Sequence, residues 1–339
     1  AMPDGAIVPV WGFADSEAGA AQVPGPVIRA NAGETLEIVL QNQIDGETIS
    51  LAFPGQELIP DLSGIAAPGT ATFSTTVAMS GTFLYEAGLT PGGARQVAMG
   101  LFGPLVVEPA PVADHEVVLV YSELDPAFNT NPLNFSMIHF QPKYWLINGQ
   151  AYPDIGYIEV AAGSSVMLRY LNAGVEHRAI GLLGLDQQIL AANGEELVAP
   201  RGAIAEPLAP GETKDALVSV PLSPPGTLYA LYNASLHQHN NNQRLTDTRA
   251  AFGGMLTFLQ VVGEPPPTGD GPVVSNVAVL PQRTNGTEDV TLTATISDTD
   301  GIAAYEYYVD QPGTLTGTVS LGDPLSTVVG VVELRSATQ

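Results

Sequence analysis

The chain has 339 residues, of which 45% are hydrophobic, enough apolar surface for two or three separate cores and too much for a disordered polymer. Its 35 acidic residues against 11 basic ones leave a formal net charge of -24, which repels phosphate backbones and anionic lipid and argues against nucleic acid as a partner. With no cysteine it has no disulfides, no nucleophilic thiols and no thiolate to complete a blue copper centre.

The 36 Gly and 28 Pro fall between short Val, Ile, Leu, Thr and Tyr runs, so an all-β fold with almost no helix is expected. No apolar stretch reaches the roughly 18 residues of a spanning helix, and Ala1-Met2-Pro3-Asp4-Gly5 has neither a basic region nor an apolar core. Direct membrane insertion is therefore not expected. A start at Ala1 fits a processed secreted protein, although a cloning boundary would look the same, and the acidity suits solubility in an extracellular or cell-surface setting.

In chain order, Pro24-Gly25-Pro26-Val27-Ile28 and the alternating Thr35-Leu36-Glu37-Ile38-Val39-Leu40 open the strand pattern, and Gly103-Pro104-Leu105-Val106-Val107 closes the first third. The middle third repeats these landmarks in the same order. Gly156-Tyr157-Ile158-Glu159-Val160 and Ser165-Val166-Met167-Leu168-Arg169-Tyr170 match the opening strands, and Ala209-Pro210-Gly211 matches Ala67-Pro68-Gly69. Gly226-Thr227-Leu228-Tyr229 matches the Gly81-Thr82-Phe83-Leu84-Tyr85 turn, and Gly254-Met255-Leu256-Thr257-Phe258 the closing strand. The alternating strands of both copies are expected to have one wet face. Each copy suits a Greek-key sandwich, over residues 1–112 and 113–263.

Residues 264–272, rich in Pro and Gly, read as an extended linker. Residues 273–339 carry strand patterns over 273–279, 290–296 and 302–309 that read as the start of an immunoglobulin-like sandwich. That region has about 70 residues where roughly 100 are typical, so it is expected to be incomplete. A truncated chain explains this most simply; a strand accepted from a neighbour at an open sheet edge is the alternative.

The landmarks of residues 7–263 resemble two cupredoxin domains of the multicopper oxidase type, and Trp145-Leu146-Ile147-Asn148-Gly149-Gln150 resembles that family's entry to its second domain. The C-terminal region resembles bacterial immunoglobulin-like modules. The resemblance implies a copper cluster held by paired histidines, but at the matching positions this chain has Ala52 and Pro54, then Glu86 and Gly88. In the second copy, only His177 remains of the histidines after the Asn172-Ala173-Gly174 turn, with Ile180 and Leu182 where further ligands are implied.

The remaining metal candidate is His237 with His239, two imidazoles sharing a strand face, joined by His177 if the fold brings it near. The flanking Asn240, Asn241 and Asn242 make an exposed loop the simpler reading. Asp298 and Asp300 before Gly301 could bind calcium, although a plain hairpin turn explains them as well. His115 and His139 are isolated, and no nucleophile elbow or carboxylate pair at catalytic spacing is evident. Asn134, Asn233 and Asn285 each open a glycosylation-type triplet.

Together these features predict a secreted, non-catalytic structural or binding protein on a degenerate oxidase scaffold. Its expected partners are other protein chains in a cell-surface or filamentous assembly, with self-assembly through the C-terminal sheet edge. The alternative is a residual copper protein of the oxidoreductase class that uses His237 and His239 or is completed by another chain.

Overall fold

Short strands bounded by turn glycines carry nearly all of the regular structure. The computed structural model describes residues 1–108, 113–235, 252–263, 273–280, 290–308 and 315–334. Two units divide the chain, Ala1–Pro265 and Pro266–Gln339.

Within the first unit, one sandwich contains β1 (Ile28–Asn31), β2 (Thr35–Asn42), β3 (Thr48–Ile49), β4 (Leu51–Ala52), β5 (Ile65–Ala66), β6 (Gly69–Thr76), β7 (Gly81–Ala87) and β8 (Phe102–Glu108). The helix α1 (Gly93–Met99) joins β7 to β8. A second sandwich contains β9 (His115–Leu124), β10 (Tyr144–Ile147), β11 (Ile158–Ala161), β12 (Ser165–Asn172), β13 (Arg178–Leu182) and β14 (Gln187–Ala192). It continues through β15 (Glu195–Ala203), β16 (Ala205–Leu208), β17 (Thr213–Ser219), β18 (Leu228–Asn233) and β19 (Leu256–Val262), with a short helix α2 (Pro126–Thr130) after β9. Asp125 starts α2 by accepting from the Ala127 amide at 2.9 Å, and Pro126 supplies the preset φ of a first helical residue.

Strand pairing makes the duplication explicit. The sheet β1-β8-β7-β4 has its counterpart in β11-β19-β18-β13, extended by β16, and the pair β2–β6 in β12–β17. In the first copy Ile28 and Phe83 flank Leu105 across the sheet; in the second, Ile158 and Tyr229 flank Leu259. Asn42 and Asn172 end their strands alike, each donating its amide to two backbone carbonyls, those of Glu47 and Ile65 or those of Glu176 and Leu208. Each sandwich encloses its own core, around Phe83, Tyr85 and Leu105 in the first and Ile180, Leu231 and Leu259 in the second.

The expected single wet face holds for β2, whose residues alternate between exposed and more buried, but not for β12, which is buried on both sides. The reason is that β12, with β9 and β17, receives the first sandwich. Leu84 and Phe102 pack there against Val120, Leu171 and Ala173. Beside them Arg169, 1% exposed, donates to Thr82 at 2.7 Å, to Asp215 at 3.2 Å and to Glu116 at 3.0 Å, while Arg29 of the first sandwich also holds Glu116. The two sandwiches approach tightly at a pair of glycine turns. A Cβ on Gly194 (φ +80°) would lie 2.1 Å from the Phe83 ring, and one on Gly81 (φ +126°) 2.6 Å from the Gly194 Cα.

In the second unit, β20 (Val273–Leu280), β21 (Val290–Tyr308) and β22 (Leu315–Leu334) form one antiparallel sheet. The strands expected at 290–296 and 302–309 are one continuous strand, with a shift in pairing between Ser297 and Ile302. Residues 298–301 therefore lie inside a strand and not in the expected hairpin turn; a bulge absorbs the Asp-Gly sequence. The second layer of an immunoglobulin-like sandwich does not appear among the described residues. No helix among them is long and apolar enough to cross a membrane.

Candidate functional site

The positions where copper ligands are implied lie on β4, β7 and β13 and in the turns that follow them. Ala52 and Glu86 are direct cross-strand partners, as are Leu51 and Ala87. Glu86 is the one ionisable group among the four first-copy positions, and burial pushes its carboxyl above the ordinary range. Pro54 is exposed in the turn after β4 and has no donor to offer.

Gly88 is closed from beneath. Its amide donates to the Ser50 carbonyl at 2.9 Å, and a Cβ at this position would lie 2.1 Å from the Ser50 hydroxyl oxygen. No side chain, let alone an imidazole, fits at Gly88 while Ser50 keeps its place. The Ser50 hydroxyl is fully buried with no hydrogen-bond partner, and the Gln96 carbonyl oxygen nearby on α1 is in the same condition. Gln96 and Arg95 both hold the buried Glu47, at 2.6 and 2.8 Å.

In the second copy Ile180 and Leu182 point into the core, paired with Asn233 and Leu231 on β18. Burying aliphatic chains of this size stabilises by roughly 1.5–3 kcal/mol each, whereas unmetallated polar ligands would cost free energy there. His177 is exposed on the turn before β13, with its carbonyl near Arg178. His237 and His239 lie outside the described residues, as do Asn285 and the side chains of Asp298 and Asp300. Asn134 is exposed, whereas Asn233 is fully buried.

Copper does not fit the described residues at these positions. Five of the six implied ligand positions, Ala52, Pro54, Gly88, Ile180 and Leu182, carry no side-chain donor, and no group of three His, Cys, Asp or Glu able to hold a metal occurs among the described residues.

Sequence reasoning missed the ionised clusters buried in the second sandwich. Arg178, wholly buried, contacts Glu123 on β9 and Glu176 at 2.9 Å, and Glu176 also accepts from the Trp145 indole at 2.8 Å. Burial raises the Glu123 carboxyl despite that guanidinium. Glu206, also fully buried, takes Arg201 at 2.6 Å and Lys214 at 3.4 Å. At the surface, the Ser165 amide and hydroxyl both donate to Asp114 and hold its carboxyl below the usual range. Each of these buried carboxylates faces a cation that offsets part of its burial cost. The one signal that pointed to them was an Arg inside an apolar strand pattern, as at Arg169 and Arg178.

Two open grooves flank the contact between the sandwiches. One, about 390 Å³, is lined by Pro54, Gly55, Phe83, Asn193 and the turn 209–213; the other, about 320 Å³, runs between residues 22–25 and Asn148. Neither is lined by a histidine.

Residues 18–112 match the family model of the multicopper oxidases. The scaffold is multicopper oxidase-like. The blue copper oxidase from Nitrosomonas europaea superposes on this multicopper oxidase-like scaffold with a TM-score of 0.63 at 21% identity, covering 75% of this chain and 84% of that one. The cell division protein FtsP of Dickeya dadantii is 27% identical over 298 residues, 81% of this chain and 58% of its own length. An L-ascorbate oxidase of Cucurbita maxima is 37% identical over 98 residues, 26% of this chain and 16% of its own. The chain thus spans less than two thirds of the length of these curated relatives.

Proposed function

We propose that this protein is a secreted, non-catalytic structural or binding module that keeps the oxidase scaffold and has given up its copper. The observation that carries this reading is the closure of the ligand positions: Gly88 sits against Ser50 with no room for a side chain, and Ile180 and Leu182 are committed to the core. A long relative named for cell division rather than for oxidation supports it. The strongly acidic surface suits an extracellular or cell-surface setting, in which the partners are other protein chains.

Absorption spectroscopy of the full chain incubated with excess Cu(II) tests the reading. After removal of loosely bound metal, no visible or near-ultraviolet charge-transfer band is expected. A persistent band that disappears in the His237→Ala/His239→Ala variant would favour the competing residual copper protein.

A further inference from the structure

The cationic side chains of this protein are turned inward. Arg169 and Arg178 are buried, the first held by Asp215 and Glu116 and the second by Glu123 and Glu176. Arg95 is committed to Glu47, and Arg201 and Lys214 converge on Glu206, with Lys214 also meeting Glu212. Arg29 holds Glu108 and Glu116, and Lys143 is engaged as well. Every Lys and Arg among the described residues therefore has a partner already, and the partner carboxylates of Glu47, Glu123, Glu206 and Asp215 are buried.

The exposed acids receive none of that positive charge. Glu37 on β2 and Glu57 after β4 belong to the first sandwich, and Asp154, Asp186, Glu195 and Glu196 to the second. All six are exposed, and none pairs with a cation among the described residues. They sit on separate strands and turns of both sandwiches. A basic protein partner is matched by one concentrated patch, whereas unpaired carboxylates spread in this way are matched by small mobile cations.

This division of charge fixes the direction in which salt acts. Attraction inside a buried pair is screened little, while repulsion between exposed carboxylates is screened strongly. The Arg29–Glu108 pair, 50% and 32% exposed, is the attraction most open to salt, and a surface pair of that kind contributes little. Folding draws a net charge of -24 into a compact volume, so repulsion is stronger in the native chain than in the extended one. Salt therefore relieves the folded state more than the unfolded state.

We infer that the cations of a concentrated medium complete this fold: salt stabilises it through the exposed carboxylates, and dilution weakens it while the buried ion pairs stay intact. This is independent of the copper-free reading, since none of the six carboxylates is an implied ligand position. Metal content and salt response report on the two separately.

Urea unfolding of the full chain across a KCl series, at neutral pH and one protein concentration, is the test. The two tryptophans, Trp11 and Trp145, both lie in the first unit, so their fluorescence follows that unit. Between about 0.01 M and about 1 M salt the Debye length falls from about 30 Å to about 3 Å, and the folding equilibrium constant should rise by at least about tenfold. Asp186→Asn/Glu195→Gln/Glu196→Gln should be more stable than the parent in dilute buffer, flatten the salt dependence and converge with the parent at high salt. Comparing the two slopes removes the general effect of salt on apolar burial, which both proteins share. A parent whose stability is flat or falls with KCl would overturn the inference, as would a variant that keeps the parent's slope. Stabilisation by oligolysine in dilute buffer without a matching response to KCl would overturn it in favour of a basic protein partner.

Discussion

At the scale of single residues, what replaced a metal ligand is as constrained as the ligand would have been. Gly88→Ala should destabilise by about 1–3 kcal/mol in denaturant unfolding, the usual cost of overpacking, because the new methyl meets the Ser50 hydroxyl. Adding Ser50→Ala should recover much of that loss, and strict additivity of the two changes would contradict the contact. Glu86 gives a pH signature. Its carboxyl is raised in the folded state, so its contribution is favourable below the ordinary glutamate pKa and is lost as pH rises through the folded value. Glu86→Gln should therefore match the parent's stability in acid and exceed it at neutral pH. The absence of donors at Ala52, Pro54, Gly88, Ile180 and Leu182 was legible in the sequence, since residue type alone decides it. The pairing of Arg178 with Glu123 was not, because the partners are 55 residues apart and neither position announces its burial.

At the scale of elements, the duplicated strands were legible because alternation and turn glycines are local, whereas the covering of β12 on both faces depends on the first sandwich. Arg169 is the test of that covering. Arg169→Met should cost about 3–5 kcal/mol by leaving Asp215 and Thr82 without their buried cation, and Asp215→Asn in that background should restore part of it. Burial holds the Asp215 carboxyl above its ordinary range, so the protonated form is the cheaper one to leave unpaired. Gly194→Ala should also loosen the contact, since its φ of +80° disfavours any Cβ and the Phe83 ring occupies the space; faster proteolysis between the sandwiches would report it. The C-terminal strands were legible in kind but not in number. A bulge lets one strand run through residues 298–301, where the Asp-Gly pair reads locally as a turn.

At the scale of the whole molecule, a multicopper oxidase-like scaffold is kept while the described residues at the implied ligand positions do not suit copper. The hydrophobic alternation that specifies the sandwiches is separable from the few positions that bind metal, which is why the architecture was legible from landmarks while a role had to be argued from the site. The imidazoles that remain cannot be assembled from the described residues, with His177 exposed on a turn and His115 and His139 on separate elements. Copper content per chain is the most direct test. After loading the full protein with excess Cu(II) and dialysing against a mild chelator, elemental analysis should find well under one copper per chain. Three or more tightly held coppers per chain would mean that the ligand positions are not closed and that the protein is an oxidase.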